Sequence, residues 1–311
     1  MMNYEVFPEL KHCTLCPRNC GADRYSRKLG YCNSDASYLI SSICIHRGEE
    51  PAISGNNGIC NIFFGHCNLR CIYCQNHQIS DKNADISGYG YDIDPVIHDI
   101  IRILDRGIVN VSFVSPSHFL PHVRAIIAAL KARGYHPIFV YNTNAYDRVE
   151  EIRKLEGLID VYLPDFKYVD SSLANTYSDA GDYPDIALKA ISEMYRQVGS
   201  TLIPGPAGAA ERGMIIRHLV LPGHVQNSLG VLEQIAEHIS PNVHISLMSQ
   251  YYPTSEVEDH SLLGRTISRM EYDLVIQKME SLEMNKGWIQ ELSSTHSFRP
   301  DFRKEKPFGE E

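Results

Sequence analysis

The sequence predicts an α/β protein: a partial, TIM-like (β/α)6 barrel that follows a small N-terminal cysteine-rich module. From residue 58 onwards, short apolar runs alternate with segments whose apolar residues recur every three or four positions. This alternation is typical of buried strands that are each followed by a covering helix. Right-handed crossovers then join the strands into a parallel sheet that curls towards a barrel. The chemistry of such barrels lies on the loops that follow the strands.

The elements can be taken in chain order. An apolar stretch over residues 39–45 has strand character, and Asp94-Pro95 opens a helix whose apolar stripe ends at Leu104. Three segments result: the N-terminal module at residues 1–50, the barrel at residues 51–292 and a loose charged tail at residues 293–311. The predicted strands are residues 59–64, 109–114, 138–141, 159–163, 214–221, 243–248 and 288–292, and the later helices are residues 123–130, 147–155, 173–177, 184–198, 229–239 and 269–283.

Composition limits the classes of function. The chain has 311 residues, of which 43% are hydrophobic and 22% charged, so it is long enough to bury a substantial core. Its formal net charge of −9 argues against general nucleic-acid binding, which requires a basic face. No apolar run approaches the roughly 18 residues that span a bilayer, and the first eleven residues lack the apolar core of a signal peptide. We therefore expect a cytoplasmic protein without membrane partners.

A crowded cysteine loop follows the first barrel strand. Cys67, Cys71 and Cys74 have the spacing C-x3-C-x2-C. Thiolates are soft ligands, and this crowding on a short turn suits an iron–sulfur cluster or zinc better than a disulfide. Three cysteines leave one vertex of a [4Fe–4S] cluster open to an added ligand. The alternative is a zinc knuckle that also uses Cys60, His66 or His77.

A second cysteine group lies near the N-terminus. Cys13, Cys16, Cys20 and Cys32 form a C-x2-C-x3-C-x11-C array, which has enough thiolates to close a tetrahedral site. The segment has few large apolar residues, so a bound metal would supply order that a core cannot. Structural zinc and a second iron–sulfur cluster remain open, and the third possibility is reduced cysteines in a loop. Cys44 and Cys60 lie in predicted strands and are interpreted as buried small side chains.

The cysteine loop resembles the signature of the radical S-adenosylmethionine (SAM) enzymes, because Tyr73 stands just before the last cysteine. Residues 45–51 and 63–71 are similar to the pyruvate formate-lyase activating enzymes, and closest to relatives with a cysteine-rich N-terminus. The resemblance implies that Cys67, Cys71 and Cys74 hold a [4Fe–4S] cluster whose open iron binds SAM. It also implies reductive cleavage of SAM to a 5′-deoxyadenosyl radical, and an electron donor such as flavodoxin or ferredoxin.

The same resemblance suggests SAM contacts at the strand ends. The family carries Gly-Gly-Glu after its second strand to hold the methionine amine, whereas this chain has Ser115-Pro116-Ser117, so backbone carbonyls and Ser117 would have to replace the missing contact. The Asp165 and Lys167 pair would bind the SAM amine and carboxylate respectively, and the alternative is an ordinary ion pair. The remaining predicted SAM contacts are the backbone of Tyr73 at adenine, Asn142 and Asn144 at the ribose, and Arg217 at the carboxylate. The alternative for Arg217 is a salt bridge in the interior of the barrel.

The resemblance favours an activase-like enzyme that acts on a glycine of another protein. A radical SAM enzyme that modifies a small molecule or a peptide is the alternative within the same class. From a different class comes a non-catalytic protein with two zinc sites, which would be colourless even when it is prepared without oxygen. Gln250, Tyr251 and Tyr252, just beyond the sixth strand, are predicted to line the substrate mouth.

Overall fold

The computed structural model describes residues 7–26, 29–296, 299–304 and 306–309. Across these residues the chain forms one mostly parallel sheet with helices packed around it. The strands are β1 (Ile40–His46), β2 (Ile59–Phe64), β3 (Asn110–Val114), β4 (Ile138–Thr143), β5 (Val161–Pro164), β6 (Ile203–Pro204), β7 (Ala210–Leu219), β8 (His244–Met248) and β9 (Gly287–Ile289).

The sheet has the order β1-β2-β3-β4-β5-β7-β8-β9. All pairings from β2 to β9 along this order are parallel, which confirms the predicted α/β fold with a partial, TIM-like barrel. At one edge β1 pairs antiparallel with β2, and β6 pairs antiparallel with β7. Because the strands from β2 onwards run the same way, their C-terminal ends meet along one edge of the sheet, called the C-terminal rim below.

Helices cover the sheet, and local sequence explains where they begin. Proline occupies the first turn of α3, and Ser268 and Glu271 form a reciprocal capping box at the start of α9. None of the described helices is long and apolar enough to cross a membrane. The helices are α1 (Pro51–Ser54), α2 (His77–Ser80), α3 (Asp94–Leu104), α4 (Leu120–Ala132), α5 (Val149–Arg153), α6 (Ser171–Ser178), α7 (Tyr183–Val198), α8 (Val225–His238) and α9 (Arg269–Ser281).

The predicted N-terminal module shares the core of the barrel. Leu10, Leu15 and Tyr38 are buried in the same hydrophobic cluster as the strands and helices of the barrel. The Arg24 guanidinium is 1% exposed and donates to backbone carbonyls on both sides of the junction, at Asp35 in the module and at His118 after β3. The boundary at residue 50 stays a prediction, and residues 1–6, 27 and 28 of the module lie outside the described residues.

The C-terminal segment corrects one prediction. We expected a loose charged tail over residues 293–311, of which residues 297, 298, 305, 310 and 311 lie outside the described part. The ring centroids of Phe302 and Phe308 lie 5.1 and 5.7 Å from that of Phe63 in β2, and Phe308 also lies 4.0 Å from His46. Two aromatic rings six residues apart bury enough apolar surface to hold a charged segment against the sheet.

Candidate functional site

The cysteine loop begins at the C-terminal end of β2. All six residues of β2 are buried, and the chain turns at Gly65, where a Cβ atom would lie 2.5 Å from a carbon of the Ile86 side chain. The next residue, His66, takes a left-handed conformation with φ of 59°. This tight exit from the strand aims the following loop at the C-terminal rim. Cys67, Cys71 and Cys74 then line one cavity of about 450 Å³, called the rim cavity below.

Each of the three sulfurs accepts a hydrogen bond. The backbone N–H of Leu69 and the side-chain amide of Asn144 donate to Cys67 Sγ, both at 3.4 Å. Ser178 Oγ donates to Cys71 Sγ at 3.0 Å, and Ser80 Oγ donates to Cys74 Sγ at 3.1 Å. Donors aimed at sulfur stabilise thiolate more than neutral thiol. The loop is therefore built to hold negatively charged sulfur.

Burial opposes that charge while no metal is bound. Burial is the largest cause, the neighbouring cysteines add to it and Lys167 opposes it, and together they raise the pKa of Cys67 to about 12 and that of Cys71 to about 11. At neutral pH these thiols are therefore protonated, and a metal that binds them has to displace their protons.

The donor set fits an iron–sulfur cluster better than a zinc knuckle. Among the described His, Cys, Asp and Glu residues, no three converge closely enough to hold a single ion, either at this loop or among the N-terminal cysteines. A [4Fe–4S] cluster is held differently, because each thiolate binds its own iron. Two candidates for the fourth ligand of a zinc knuckle are also engaged elsewhere. Cys60 is fully buried within β2, and both ring nitrogens of His66 have partners, Ser34 Oγ at 3.4 Å and the carbonyl of Ala84 at 3.2 Å.

An ion-pair network forms the opposite wall of the rim cavity. Asp165 joins Lys167 at 2.7 Å and Arg217 at 2.8 Å, and Arg217 also reaches Glu49 at 3.3 Å and the Asn142 amide oxygen at 2.6 Å. Burial alone would raise the pKa of Asp165, but Arg217 and Lys167 hold it below its usual value. The pairings predicted as alternatives for Asp165, Lys167 and Arg217 are therefore present, as a buried network rather than a surface ion pair.

Glu50 differs from the other acids in the cavity. Its Oε2 atom is buried and has no hydrogen-bond partner. Burial raises the pKa of Glu50, the charge of Glu49 raises it further, and Arg217 lowers it. Glu50 belongs to the acidic pair Glu49-Glu50, which Pro51 follows directly. An acidic pair beside a proline is common on protein surfaces, so only the long-range contact with Arg217 distinguishes this one.

Most of the predicted SAM contacts reach the rim cavity, but Ser117 does not. Ser117 is 1% exposed, and its hydroxyl lies 3.2 Å from Thr143 Oγ1, behind the wall. Ser115 lines the cavity instead, because it follows β3 directly and turns there with φ of 54°. The prediction that Ser117 contacts SAM is corrected on this ground. The predicted residues that do line the cavity are Tyr73, Asn142, Asn144, Asp165, Lys167 and Arg217.

The four N-terminal cysteines form a separate group that does not line the rim cavity. Cys13, Cys16 and Cys32 are buried, whereas Cys20 is exposed. Burial and, to a smaller extent, the charges of the other three thiols raise the pKa of Cys16 to about 12, so the four lie close enough to interact. A second metal site here stays a prediction. Of the two isolated cysteines, Cys60 is fully buried, as expected, and Cys44 is half-buried.

Comparisons with known proteins agree with this geometry. Residues 61–210 match the family model of the radical SAM superfamily. An uncharacterised protein of Methanocaldococcus jannaschii is 27% identical over 281 residues, which make up 88% of this chain and 76% of that protein. The crystal structure of HydG, a maturase of the [FeFe]-hydrogenase, shares the fold with a TM-score of 0.53 at 12% identity, over 79% of this chain and 55% of HydG. A domain of a pyruvate-formate lyase-activating enzyme from Bacteroides vulgatus aligns with a TM-score of 0.39 at 19% identity, over 55% of this chain and 93% of that domain.

Proposed function

Because this chain belongs to the radical SAM superfamily, we propose that Cys67, Cys71 and Cys74 hold a [4Fe–4S] cluster at which SAM is reductively cleaved. The observation that carries this proposal is the placing of three sulfurs, each with a hydrogen-bond donor, in one cavity at the C-terminal rim. A cluster bound there would supply the one electron needed for reductive cleavage of SAM to methionine and a 5′-deoxyadenosyl radical, the species that would abstract hydrogen from the substrate. The chain's own residues bind and orient SAM and exclude water.

The polar residues of the rim cavity suit different chemical groups of SAM. Lys167 Nζ carries three N–H donors and pairs with Asp165 Oδ2, which leaves donors for the SAM carboxylate beside the Arg217 guanidinium. The amide of Asn142 suits a ribose hydroxyl, and the backbone of Tyr73 is assigned to adenine. The Asn144 amide already bonds Cys67 Sγ, Asn68 and Tyr146, so its predicted ribose contact would require it to leave one of these partners. Both oxygens of Asp165 are already paired, whereas Glu50 Oε2 has no partner. We therefore move the amine contact from Asp165 to Glu50.

Glu50→Gln is expected to weaken SAM binding by about 10- to 100-fold without changing iron content. The reason is that a charge-assisted hydrogen bond to the SAM ammonium, worth roughly 1.5–3 kcal/mol, is lost. Equilibrium dialysis of the cluster-loaded protein against SAM and against an analogue without the amine measures this. The variant should bind the analogue as well as the wild type does. Ser117→Ala, behind the cavity wall, is the control that should leave both affinities unchanged, and equal SAM affinity in Glu50→Gln would contradict the assignment.

The central experiment is anaerobic purification with iron and sulfide reconstitution, followed by an iron count and a dithionite-plus-SAM assay for 5′-deoxyadenosine. About four irons per chain with 5′-deoxyadenosine formed would support one radical SAM cluster and leave zinc for the N-terminal cysteines. About eight would make that module a second cluster. If the protein binds no iron and forms no 5′-deoxyadenosine, the non-catalytic zinc hypothesis is favoured instead.

For the substrate we propose an activase-like reaction on a glycine of another protein, with flavodoxin or ferredoxin as the electron donor. This rests on the similarity of residues 45–51 and 63–71 to the activating enzymes. One structural observation favours the alternative, a small molecule or a peptide. Ser294, Pro300 and Phe308 of the C-terminal segment line the rim cavity and take up part of the surface that a protein substrate would need.

Fractionated extract from the source cells separates the two substrates. If a protease-sensitive, high-mass fraction stimulates 5′-deoxyadenosine formation and gains the electron paramagnetic resonance signal of a glycyl radical, the activase reading is supported. Stimulation by the low-mass, protease-resistant fraction alone would support the small-molecule or peptide reading and contradict the activase.

A further inference from the structure

A chain of buried hydroxyls leads to one of the three cysteine sulfurs. Tyr73 Oη lies 2.5 Å from Tyr168 Oη, Tyr168 Oη lies 2.8 Å from Ser178 Oγ, and Ser178 Oγ lies 3.0 Å from Cys71 Sγ. Tyr73 is 5% exposed, and Tyr168 and Ser178 are fully buried. Hydroxyls in such a place are shielded from water, so each one shares its proton with the next hydroxyl of this series.

The donor and acceptor in each of these hydrogen bonds follow from the number of protons. A metal-bound Cys71 thiolate has no proton, so Ser178 has to donate to it. Each hydroxyl carries one proton, so Ser178 then accepts from Tyr168, and Tyr168 accepts from Tyr73. The three hydroxyls therefore point one after another towards the sulfur, and each bond polarises the next.

The backbone holds the serine in register with the cysteine. The N–H of Arg70 donates to the carbonyl of Ser178 at 3.2 Å, and the N–H of Ile72 donates to the carbonyl of Tyr177 at 3.0 Å. These two bonds flank Cys71 on both sides, so the C-terminal end of α6 is fixed against the cysteine loop. The contact between Ser178 and Cys71 is thereby set by the fold and not by a free side-chain rotation.

We propose that the chain Tyr73–Tyr168–Ser178 raises the reduction potential of the cluster through the hydrogen bond to Cys71 Sγ. Reduction adds negative charge to the cluster and its sulfurs, and a donor at sulfur stabilises the more negative state. Ser178 is the positioning residue that makes the contact, and the two tyrosines act through it. This inference rests on the proposed [4Fe–4S] cluster and adds to it the residues that set how readily the cluster is reduced.

Redox titration of the reconstituted protein, monitored by electron paramagnetic resonance, tests the proposal. Ser178→Ala should make reduction about tenfold less favourable, a shift of about 59 mV to more negative potential for a one-electron couple. Tyr168→Phe and Tyr73→Phe should shift the potential in the same direction by successively smaller amounts, because they remove only the bonds behind Ser178. The matched control is Tyr141→Phe. It removes a buried hydroxyl that bonds Asp147 at 2.9 Å and does not bond Tyr73, Tyr168 or Ser178.

Each outcome decides the inference. An intact cluster whose potential is unmoved by Ser178→Ala would overturn it and leave the proposed function standing. A shift in Tyr141→Phe as large as that in Ser178→Ala would also overturn it, since loss of any buried hydroxyl would then suffice. If Ser178→Ala does not assemble a cluster, Tyr168→Phe alone decides the question. Failure of the wild type to assemble a cluster would overturn the inference together with the proposed function.

Discussion

Cys71→Ala is expected to abolish SAM cleavage while the barrel stays folded. The substitution removes one of three proposed iron ligands, and two cysteines cannot hold the cluster in the geometry that binds SAM. Cys71 is only half-buried and lies on a loop, so the loss of one sulfur should cost the fold little. Iron content, 5′-deoxyadenosine formation and thermal unfolding of the reconstituted protein measure the three parts of this prediction.

The matched control is Cys44→Ala, because Cys44 is also half-buried but lies on β1 and does not line the rim cavity. It should keep wild-type iron content and SAM cleavage. A Cys71→Ala variant that still made 5′-deoxyadenosine would show that the cluster ligands have been assigned wrongly. Loss of folding in Cys71→Ala but not in Cys44→Ala would instead point to a structural site at the loop.

The parallel barrel could be predicted from the sequence because its signals are local. Each buried strand is a short apolar run, and each covering helix repeats apolar residues at helical spacing, as in Asp94–Leu104. The antiparallel pairing of β1 could not be predicted, since an isolated apolar stretch does not specify its partner strand. The packing of Phe302 and Phe308 was missed for a related reason: their partner Phe63 lies more than 200 residues earlier in the chain.

The candidate site, like the fold, could be predicted only in part. Its cysteines follow one another within a single loop, so their spacing could be recognised, whereas their hydrogen-bond donors come from other parts of the chain. Ser178 is 107 positions from Cys71, and Asn144 is 77 positions from Cys67. The choice between Ser115 and Ser117 depended on the turn after β3, where a left-handed residue changes which side chain faces the cavity. Such contacts arise only when the strands are brought together.

Arg217→Met is expected to lower the free energy of unfolding by about 3–5 kcal/mol at pH 8. Arg217 is the cation that joins Asp165 and Glu49, at 2.8 and 3.3 Å, and the side chains of all three residues are less than a fifth exposed. Methionine fills a similar volume but cannot neutralise the two buried carboxylates, and Lys167 would be the cation left beside Asp165. Urea unfolding followed by circular dichroism measures the loss.

The loss should depend on pH in a definite direction. The folded-state pKa of Asp165 lies below its unfolded value, so its ion pairs contribute fully above about pH 4 and are lost as the pH falls through the depressed folded-state pKa. Without Arg217, the pKa values of Asp165 and Glu50 should both be higher than in the wild type, because Arg217 lowers both. These carboxyls would then take up protons in mild acid and lose their unpaired charge. The difference in stability between wild type and variant should therefore be smaller at pH 5 than at pH 8.

An exposed arginine provides the comparison that separates a buried network from an ordinary ion pair. Arg133 pairs with Asp94, but the two side chains are 40% and 70% exposed. Arg133→Met should therefore cost at most about 1 kcal/mol. If Arg217→Met lowered the free energy of unfolding no more than Arg133→Met does at either pH, the ion pairs of the rim cavity would not stabilise the fold more than a surface ion pair does.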